Sequence, residues 1–491
     1  MTFSMTELAV PQRLTRQRLL IIMIAILAMA CAIGVLRIAF TLDLPVVYGS
    51  DEGWSAYHQA EAAAGISPYP ASSSLIYNVY PPLSFYIVGA VGRLINDNIL
   101  AGRMISLLAF LLTALGVAKA ARQMGCTKRE AGFAALLLMT GLLYDHDYVG
   151  TNTPQMIGQA FGIAGLILCL RQPRTGMALF FSALFFVLAG FTKHNLVAQP
   201  ITAAAWLLLV DRRSGFKFVL FGGGLTLLGL AAFQLAFGHS VWSEINSSRV
   251  WAYYFSLRAM AGRIPEALVP VLASVALLRW FPKDRYLHFC LLYLAISIVS
   301  ATYFLGGAGT GGNMLSDAEI AVSLCGGLGL HLLSNTDSGR HSTAFAACYF
   351  LPLLGVVMFT AATGRFPRYW LDYHARPVVD ARKNVAFLKD HDGPALCREQ
   401  ALCFRAGKPV EADLWNLEQA VTLGRRDGHE LREAIEQRRY AVLQLYEPPN
   451  VLGAPPEVQV EYSRSIARAV EANYRIDHTD FNGTFWVRRP R

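Results

Sequence analysis

Long apolar runs alternate with short polar stretches through most of the chain, and this pattern predicts a membrane protein. The first run, from Leu19 to Phe40, is interrupted only by Arg37 and is long enough to cross a bilayer. Ten further runs are long enough to cross, some with tilt, at residues 99–121, 129–144, 153–171, 175–191, 194–210, 216–237, 264–281, 286–305, 315–334 and 342–362. We therefore predict about eleven membrane-spanning helices.

Two shorter stretches after the first span predict helices that lie along the membrane surface. Residues 53–64 form an amphipathic pattern with Trp54 and Tyr57 as membrane anchors. Residues 81–95 begin with two prolines, which suit a first helical turn, and the alternative is a twelfth crossing. Loop charges favour the surface helix, because Lys and Arg then fall on the cytoplasmic side at nearly every turn. The odd number of crossings places the C-terminus outside the cytoplasm.

Charge is spread unevenly along the chain. Only 16% of all residues are charged, against about 25% in soluble domains. Residues 1–364 hold 23 Lys and Arg and 16 Asp and Glu, whereas the much shorter segment 365–491 holds 20 and 18. This shift predicts a transmembrane domain at 1–364 and a small extracytoplasmic α/β domain at 365–491. The net charge of +9 does not indicate nucleic acid, because the basic residues of the membrane part fall mainly in short loops.

The second domain carries alternating strand and helix patterns. They predict strands at 395–397 and 440–446, helices at 414–423, 428–437 and 456–474, and a final hairpin with its turn at 482–483. Cys397 and Cys403 are its only cysteines. A short-loop disulfide and two buried thiols are both compatible with their spacing.

An acidic pair, Asp51 and Glu52, stands directly after the first span on the predicted outer face. Charge near hydrocarbon is costly, so a pair of carboxylates there indicates either a solvated loop or a functional site. The residues alone leave both interpretations open.

Several cations share that predicted outer face. Lys193 lies on the short turn 190–195, against the positive-inside trend, and the loop 238–263 combines aromatic residues with three arginines. A snorkelling lysine and an aromatic belt would explain them without function. Because arginine binds phosphate bidentately, they also indicate a site for a lipid phosphate. The candidate phosphate ligands are Lys193, Arg249, Arg258 and Arg263.

Two further outer segments carry candidate ligands. The glycine-rich stretch 306–312 leads to Asn313 and Asp317, whose side chains suit sugar hydroxyls, although a flexible turn fits equally well. Asp145 and Asp147 end the third span with a spacing that suits Mg²⁺ or Mn²⁺, although a polar span end has the same composition.

The order of these motifs resembles bacterial GT-C glycosyltransferases of the protein O-mannosyltransferase and lipid A aminoarabinose transferase superfamily. The motifs are Asp51-Glu52 after span one, Tyr80-Pro81-Pro82-Leu83, Gly190-Phe191-Thr192-Lys193 and Gly311-Gly312-Asn313. The resemblance implies an α-helical polytopic membrane fold of the GT-C type, with surface helices and a small C-terminal α/β domain. It covers the whole chain.

The same resemblance implies an activity. A sugar would move with inversion from a polyprenyl-phosphate donor to an acceptor glycan, lipid or protein, on the periplasmic face of a bacterial inner membrane. Asp51 would be the general base, and Glu52 would orient it or bind the acceptor. Many relatives have an acidic residue or His where this chain has Tyr80. Asp145 and Asp147 resemble the metal site of oligosaccharyltransferases, whereas many carrier-monophosphate enzymes are thought to need no metal.

Two other classes of protein compete with this interpretation. A transporter or flippase of a lipid-linked sugar predicts ionisable residues deep within spans and an internal repeat. The charges here cluster mostly at span ends, which argues against a transporter. A non-catalytic membrane sensor that binds its ligand with the outer domain is the third alternative.

Overall fold

The computed structural model describes residues 5–45, 51–70, 74–145, 148–238, 242, 249–336, 340–363, 375–446 and 456–490, without the side chains of 5–16, 145, 340 and 456–463. The described part of residues 1–364 is helical. Its helices are α1 (Met5–Thr41), α2 (Asp51–Ala63), α3 (Leu83–Ile95), α4 (Asn98–Gln123), α5 (Lys128–Asp145), α6 (Gln155–Leu170), α7 (Gly176–Thr192), α8 (Ala198–Val210), α9 (Arg212–Phe237), α10 (Tyr253–Ala261), α11 (Ile264–Ala276), α12 (Arg285–Phe304), α13 (Ser316–Ser334) and α14 (Arg340–Ala362).

Each of the eleven predicted apolar runs coincides with one of these helices. Among the described residues, α1, α4, α9, α12 and α14 are long and apolar enough to cross a membrane. A sixth crossing is added if α10 and the helical segment 264–279, which are bent by 79° against each other, form one broken span. Helices α3, α6, α7 and α8 are apolar but shorter. The chain is a multi-pass membrane protein, and the count of eleven stays a prediction.

The helical bundle is held by close packing of small residues. At Gly165 of α6, an added Cβ would lie 3.0 Å from both a ring carbon of Phe186 and the carbonyl oxygen of Ser182 on α7. The Ser182 hydroxyl donates a 2.7 Å hydrogen bond to the Gly165 carbonyl. In a membrane, where burial gives no net hydrophobic gain between helices, such close contacts supply much of the association energy.

Both predicted surface helices are present, as α2 and α3. Helix α2, however, uses its aromatic residues differently from the prediction. Trp54 is buried and donates its indole N–H to the carbonyl of Tyr77 at 3.0 Å, and the Tyr57 hydroxyl donates to the carbonyl of Lys408 at 2.6 Å. Their assignment as membrane anchors was wrong, because the C-terminal domain and the loop before α3 cover them.

The described part of residues 365–491 forms a four-stranded sheet flanked by helices. Its elements are α15 (Arg376–Asp390), β1 (Ala395–Cys397), α16 (Gln400–Arg405), α17 (Leu414–Thr422), α18 (His429–Glu436), β2 (Val442–Leu445), α19 (Pro456–Asn473), β3 (Tyr474–Asp480) and β4 (Gly483–Arg488). The strand order is β1-β2-β4-β3, with β1 parallel to β2 and the other pairs antiparallel. The predicted strands, three helices and hairpin are confirmed. Helices α15 and α16 were not predicted.

Candidate functional site

Glu52 anchors the beginning of α2 through a buried ion pair. Its two carboxylate oxygens accept hydrogen bonds from Nε and Nη2 of Arg103 on α4, at 2.8 and 2.6 Å. The backbone N–H of Asn152 donates to the same carboxylate at 2.9 Å. Both charged side chains are only 1% exposed. A buried bidentate pair with extra hydrogen bonds is the arrangement in which two charges are tolerated away from water.

The same arginine also binds the end of the first helix. Its Nη1 donates to the carbonyls of Leu42 and Leu44, at 2.9 and 2.7 Å. Arg103 therefore joins α1, α2 and α4 at one point. Of the two roles predicted for Glu52, its burial suits orientation of the neighbouring Asp51 and leaves no exposed oxygen for an acceptor.

Asp51 is exposed at the first position of α2 and interacts electrostatically with Lys193. Lys193 follows α7 and is 1% exposed, and its ammonium donates to the amide oxygen of Gln155 at 2.7 Å. Burial lowers the pKa of Lys193 to about 7, assisted by Arg249 and opposed by Asp51. The structure thus places the predicted base and a predicted phosphate ligand in one site.

Tyr80, Arg249 and His194 complete this cluster. Arg249 lies close enough to Tyr80 to oppose the rise in the pKa of its phenol, and the Lys193 ammonium lies 5.7 Å from the Tyr80 ring centroid. Burial and the negative charge of Asp51 raise the pKa of Tyr80. Burial and the two cations lower the pKa of His194 to about 4. At neutral pH the cluster therefore contains Tyr80 as a neutral phenol and His194 as a neutral imidazole.

An apolar groove leads to this cluster from the side of the bundle. It has a volume of about 410 Å³ and lies between α7, α8 and α9. Phe186, Pro200 and Gly223 line its apolar length, and Pro81 and His194, neighbours of Tyr80 and Lys193, line it near the cluster. Helix α9 is mostly exposed in the protein, so it faces lipid in a membrane. A groove of this kind suits a hydrocarbon chain whose polar end reaches the cations.

The other two predicted phosphate ligands lie elsewhere. Arg258 is exposed on α10. Arg263 forms an ion pair with Glu266, 3.0 Å apart, and lines a separate cavity of about 160 Å³. Lys193 and Arg249 are therefore the two of the four candidates that meet at Asp51.

Asn313 and Asp317 belong to a buried polar network beneath the cluster. The Asn313 amide donates to Gln155, the partner of Lys193, at 3.3 Å. Asp317 accepts hydrogen bonds from Gln199 and from the Tyr293 hydroxyl, at 2.9 and 2.8 Å. Asn313 thus shares a partner with Lys193, and the binding of hydroxyls by either residue stays a prediction.

The glycine-rich stretch lets other protein groups approach closely. A Cβ at Gly309, whose φ is +72°, would lie 2.5 Å from Trp415 of the C-terminal domain. At Gly311 it would lie 2.2 Å from the Tyr148 hydroxyl. These glycines therefore allow the loop to pack between the two domains.

The predicted metal ligands cannot be placed. Asp147 and the side chain of Asp145 lie outside the described residues. Within the described ranges, no group of three or more His, Cys, Asp or Glu side chains is arranged to hold a metal ion. A Mg²⁺ or Mn²⁺ site at Asp145 and Asp147 stays a prediction.

The C-terminal domain supplies one acidic group near Asp51 that the sequence did not single out. Glu399 is 4% exposed, and burial together with Asp51 and Glu52 raises its pKa to about 7, although Arg398 lowers it. The backbone of Ala401 lies so close to Gly53 that a Cβ there would be 2.0 Å from its nitrogen. The disulfide between Cys397 and Cys403 closes the segment that makes this contact.

Long-range contacts explain which site residues were missed. Arg103, Gln155 and His194 carry no local motif, because each acts through a partner from a distant part of the chain. The one available signal was Tyr80, at the position where the resemblance leads us to expect an acidic residue or His.

Comparison with known proteins supports the resemblance. Residues 79–242 match the protein-family model of dolichyl-phosphate-mannose-protein mannosyltransferases. A search of curated proteins found no match. ArnT from Cupriavidus metallidurans bound to undecaprenyl phosphate is similar in structure, with a TM-score of 0.59 at 13% identity over 94% of this chain and 99% of that one. Archaeal oligosaccharyltransferase AglB from Archaeoglobus fulgidus, in complex with an inhibitory peptide and a dolichol-phosphate, has a TM-score of 0.54 at 10% identity over 95% and 74%.

Both structural relatives are GT-C glycosyltransferases, and each was solved with a polyprenyl-phosphate lipid. The identities are low, so the structural likeness establishes the fold, and the family match covers residues 79–242, about a third of the chain. Fold and family together indicate a glycosyltransferase. The chain therefore has the GT-C membrane glycosyltransferase fold that its sequence motifs predict.

Proposed function

We propose that this protein is an inverting glycosyltransferase that takes a sugar from a polyprenyl-phosphate donor and transfers it to an acceptor glycan, lipid or protein. The observation that carries the proposal is the apolar groove between α7, α8 and α9, which reaches Pro81 and His194 beside the cluster of Asp51, Lys193 and Arg249. The groove suits the polyprenyl chain, and the cations suit its phosphate. The loop charges favour the outer face of the membrane, and the resemblance to bacterial GT-C enzymes implies the periplasmic face of an inner membrane.

The reaction is one in-line displacement at the anomeric carbon. The acceptor oxygen attacks that carbon while Asp51 takes its proton, and the bond to the phosphate oxygen breaks with its electron pair on the phosphate. The Lys193 ammonium and the Arg249 guanidinium stabilise the charge that develops there. A phosphate leaving group stabilised in this way needs no general acid, in contrast to the leaving oxygen of a glycoside.

The surrounding residues hold these groups in place. The buried pair of Glu52 and Arg103 fixes the first turn of α2, and with it the backbone position of Asp51. Tyr80 lies beside Arg249, and the amide oxygen of Gln155 accepts a hydrogen bond from Lys193, so each cation has a neighbouring side chain that restricts its movement. Preorganised charges of this kind cost little reorganisation when the reaction proceeds.

Replacement of the base tests the proposal. We expect Asp51→Asn to lower transfer of labelled sugar from polyprenyl-phosphate donors by about a hundred- to ten-thousandfold, the range for loss of a general base. Binding of undecaprenyl phosphate should persist, because the groove and both cations remain. Transfer is measured in membranes with a panel of donor sugars, and binding with purified protein.

The control is Glu61→Gln, which removes another carboxylate of the same helix that pairs with His58. It should leave transfer close to the wild-type rate. Near-wild-type transfer by Asp51→Asn would show that Asp51 is not the base. The wild-type protein could instead move the intact lipid-linked sugar from one leaflet of a vesicle membrane to the other without transferring the sugar to an acceptor. That result would support the transporter alternative and contradict the glycosyltransferase proposal.

A further inference from the structure

A second cleft lies between the C-terminal domain and the ends of two spans. It has a volume of about 400 Å³ and is lined by Pro45 after α1, by residues 96–97 before α4, and by residues of α15 and α16. Because α1 and α4 are long apolar helices, these ends lie where the chain leaves the hydrocarbon layer. The cleft is separate from the apolar groove, since the two share no lining residue.

Cations predominate in this cleft. Arg382, Lys389 and Arg405 line it together with a single acidic residue, Asp97. The Asp97 carboxylate lies 3.7 Å from Nη1 of Arg405 and also accepts the N–H of Leu100 at 2.9 Å, as the cap of α4. Lys389 is exposed beside this pair, so its ammonium is open to an anion in the cleft.

Arg405 provides a second, independent indication of a ligand. Its side chain is 18% exposed, and its Nη2 atom is buried without a hydrogen-bond partner among the described residues. A buried guanidinium nitrogen left unpaired costs free energy, and rotation of the Arg405 side chain into the cleft, toward an anionic oxygen, would remove that cost.

Exposed apolar side chains directly precede the cleft residue Asn96 in the chain. Leu94 and Ile95 end α3 directly before Asn96, and they are 82% and 41% exposed. Arg93, one residue earlier, is exposed as well. Exposed leucine and isoleucine beside cations are typical of a segment that dips into the headgroup layer of a membrane.

We infer that this cleft binds the phosphate headgroup of an anionic phospholipid of the surrounding bilayer. Lys389 and Arg405 contact the phosphate, while Leu94 and Ile95 contact the acyl chains. The bound lipid links α15 and α16 to the membrane surface and so helps to hold the C-terminal domain against the membrane. This site takes a bulk lipid, and it is independent of the donor site at Lys193.

The test is lipid retention by the purified full chain. Native mass spectrometry of the protein with phosphatidylglycerol or phosphatidylcholine of the same acyl chains should show preferential binding of phosphatidylglycerol. Lys389→Gln removes an exposed cation and should weaken that binding about fivefold, the effect of one basic residue near an anionic surface. Arg405→Gln should weaken it at least as much.

Arg464→Gln is the matched control, because Arg464 is exposed on α19 outside the cleft. It should retain phosphatidylglycerol as the wild type does. Equal binding of both lipids, or an equal loss in Arg464→Gln, would overturn the inference. It would also fail if inorganic phosphate bound with the same dependence on Lys389 while phosphatidylglycerol did not, since the occupant would then be a free anion.

Discussion

Lys193 shows how burial adjusts a single residue for its proposed role as a phosphate ligand. The side chain is almost fully enclosed, and its pKa lies near 7 because the ammonium has lost its hydration. The unoccupied protein therefore holds this lysine partly neutral at physiological pH, and a bound phosphate favours the charged form.

A pH dependence of donor binding follows from this pKa. Above about pH 7, the affinity for undecaprenyl phosphate should fall about tenfold for each pH unit. The phosphate binds the protonated form of Lys193, and the population of that form falls about tenfold per pH unit above the pKa. Lys193→Met, of similar length but without charge, should bind more weakly and should lack this decline. Titration of binding against pH for both proteins is the measurement.

Protein stability gives an independent check on the same pKa. The folded-state pKa of Lys193 is depressed, so between about 7 and the ordinary 10.5 the unfolded chain holds a proton that the native protein has lost. The free energy of unfolding should therefore rise with pH across that window, and the rise should be absent in Lys193→Met. Equal slopes for the two proteins would contradict the assignment.

At the scale of elements, helix α9 forms one wall of the groove with glycines. Gly223 lines the groove, and an added Cβ there would have no atom within 4 Å. Gly224, next in the chain, is equally open but does not line the groove. The helix can therefore accept a Cβ at either position without a clash.

This pair of glycines offers a matched experiment. Gly223→Leu should place a side chain in the groove and weaken binding of undecaprenyl phosphate about tenfold, because about two methylene groups of the lipid lose their contact. Gly224→Leu should bind as the wild type does. Similar losses in both variants would indicate a general effect on α9 instead of an occupied groove.

At the scale of the whole molecule, the C-terminal domain is part of the site. Tyr77, from the loop before α3, packs into its core beside Leu417 and Leu443. The N–H of Asp413 donates to the carbonyl of Leu75 at 2.8 Å, and Gln419 accepts the N–H of Val250 at 3.1 Å. The C-terminal domain therefore contacts both the backbone next to Arg249 and helix α2.

Removal of the disulfide should separate binding from transfer. Replacing Cys397 and Cys403 with serine releases the short loop that presses Ala401 against Gly53, and should cost the C-terminal domain about 2 kcal/mol. Transfer should fall because Asp51 is held less firmly, whereas the affinity for undecaprenyl phosphate should stay unchanged because α7 to α9 form the groove. Cys348→Ser, which removes a free cysteine, is the control. Unchanged transfer in the double variant would argue against a positioning role for this contact.

The apolar runs and the alternation of the last quarter determined the helices, the strands and the division of charge between the two parts of the chain. Those features are local, because bilayer thickness and helix or strand period act on neighbouring residues. The acidic pair after the first span and the lysine on the turn after α7 could be singled out for the same reason. Charge at an otherwise apolar boundary is visible in the sequence itself.

Only the tertiary structure decided what these residues do with one another. It separated Asp51 from Glu52, exposing the first and burying the second against Arg103, although the two are adjacent in sequence. It also selected Lys193 and Arg249 from four candidate cations and brought Glu399 to the site from the far end of the chain. Burial and electrostatic partners depend on contacts between distant segments, and no local pattern of residues contains them.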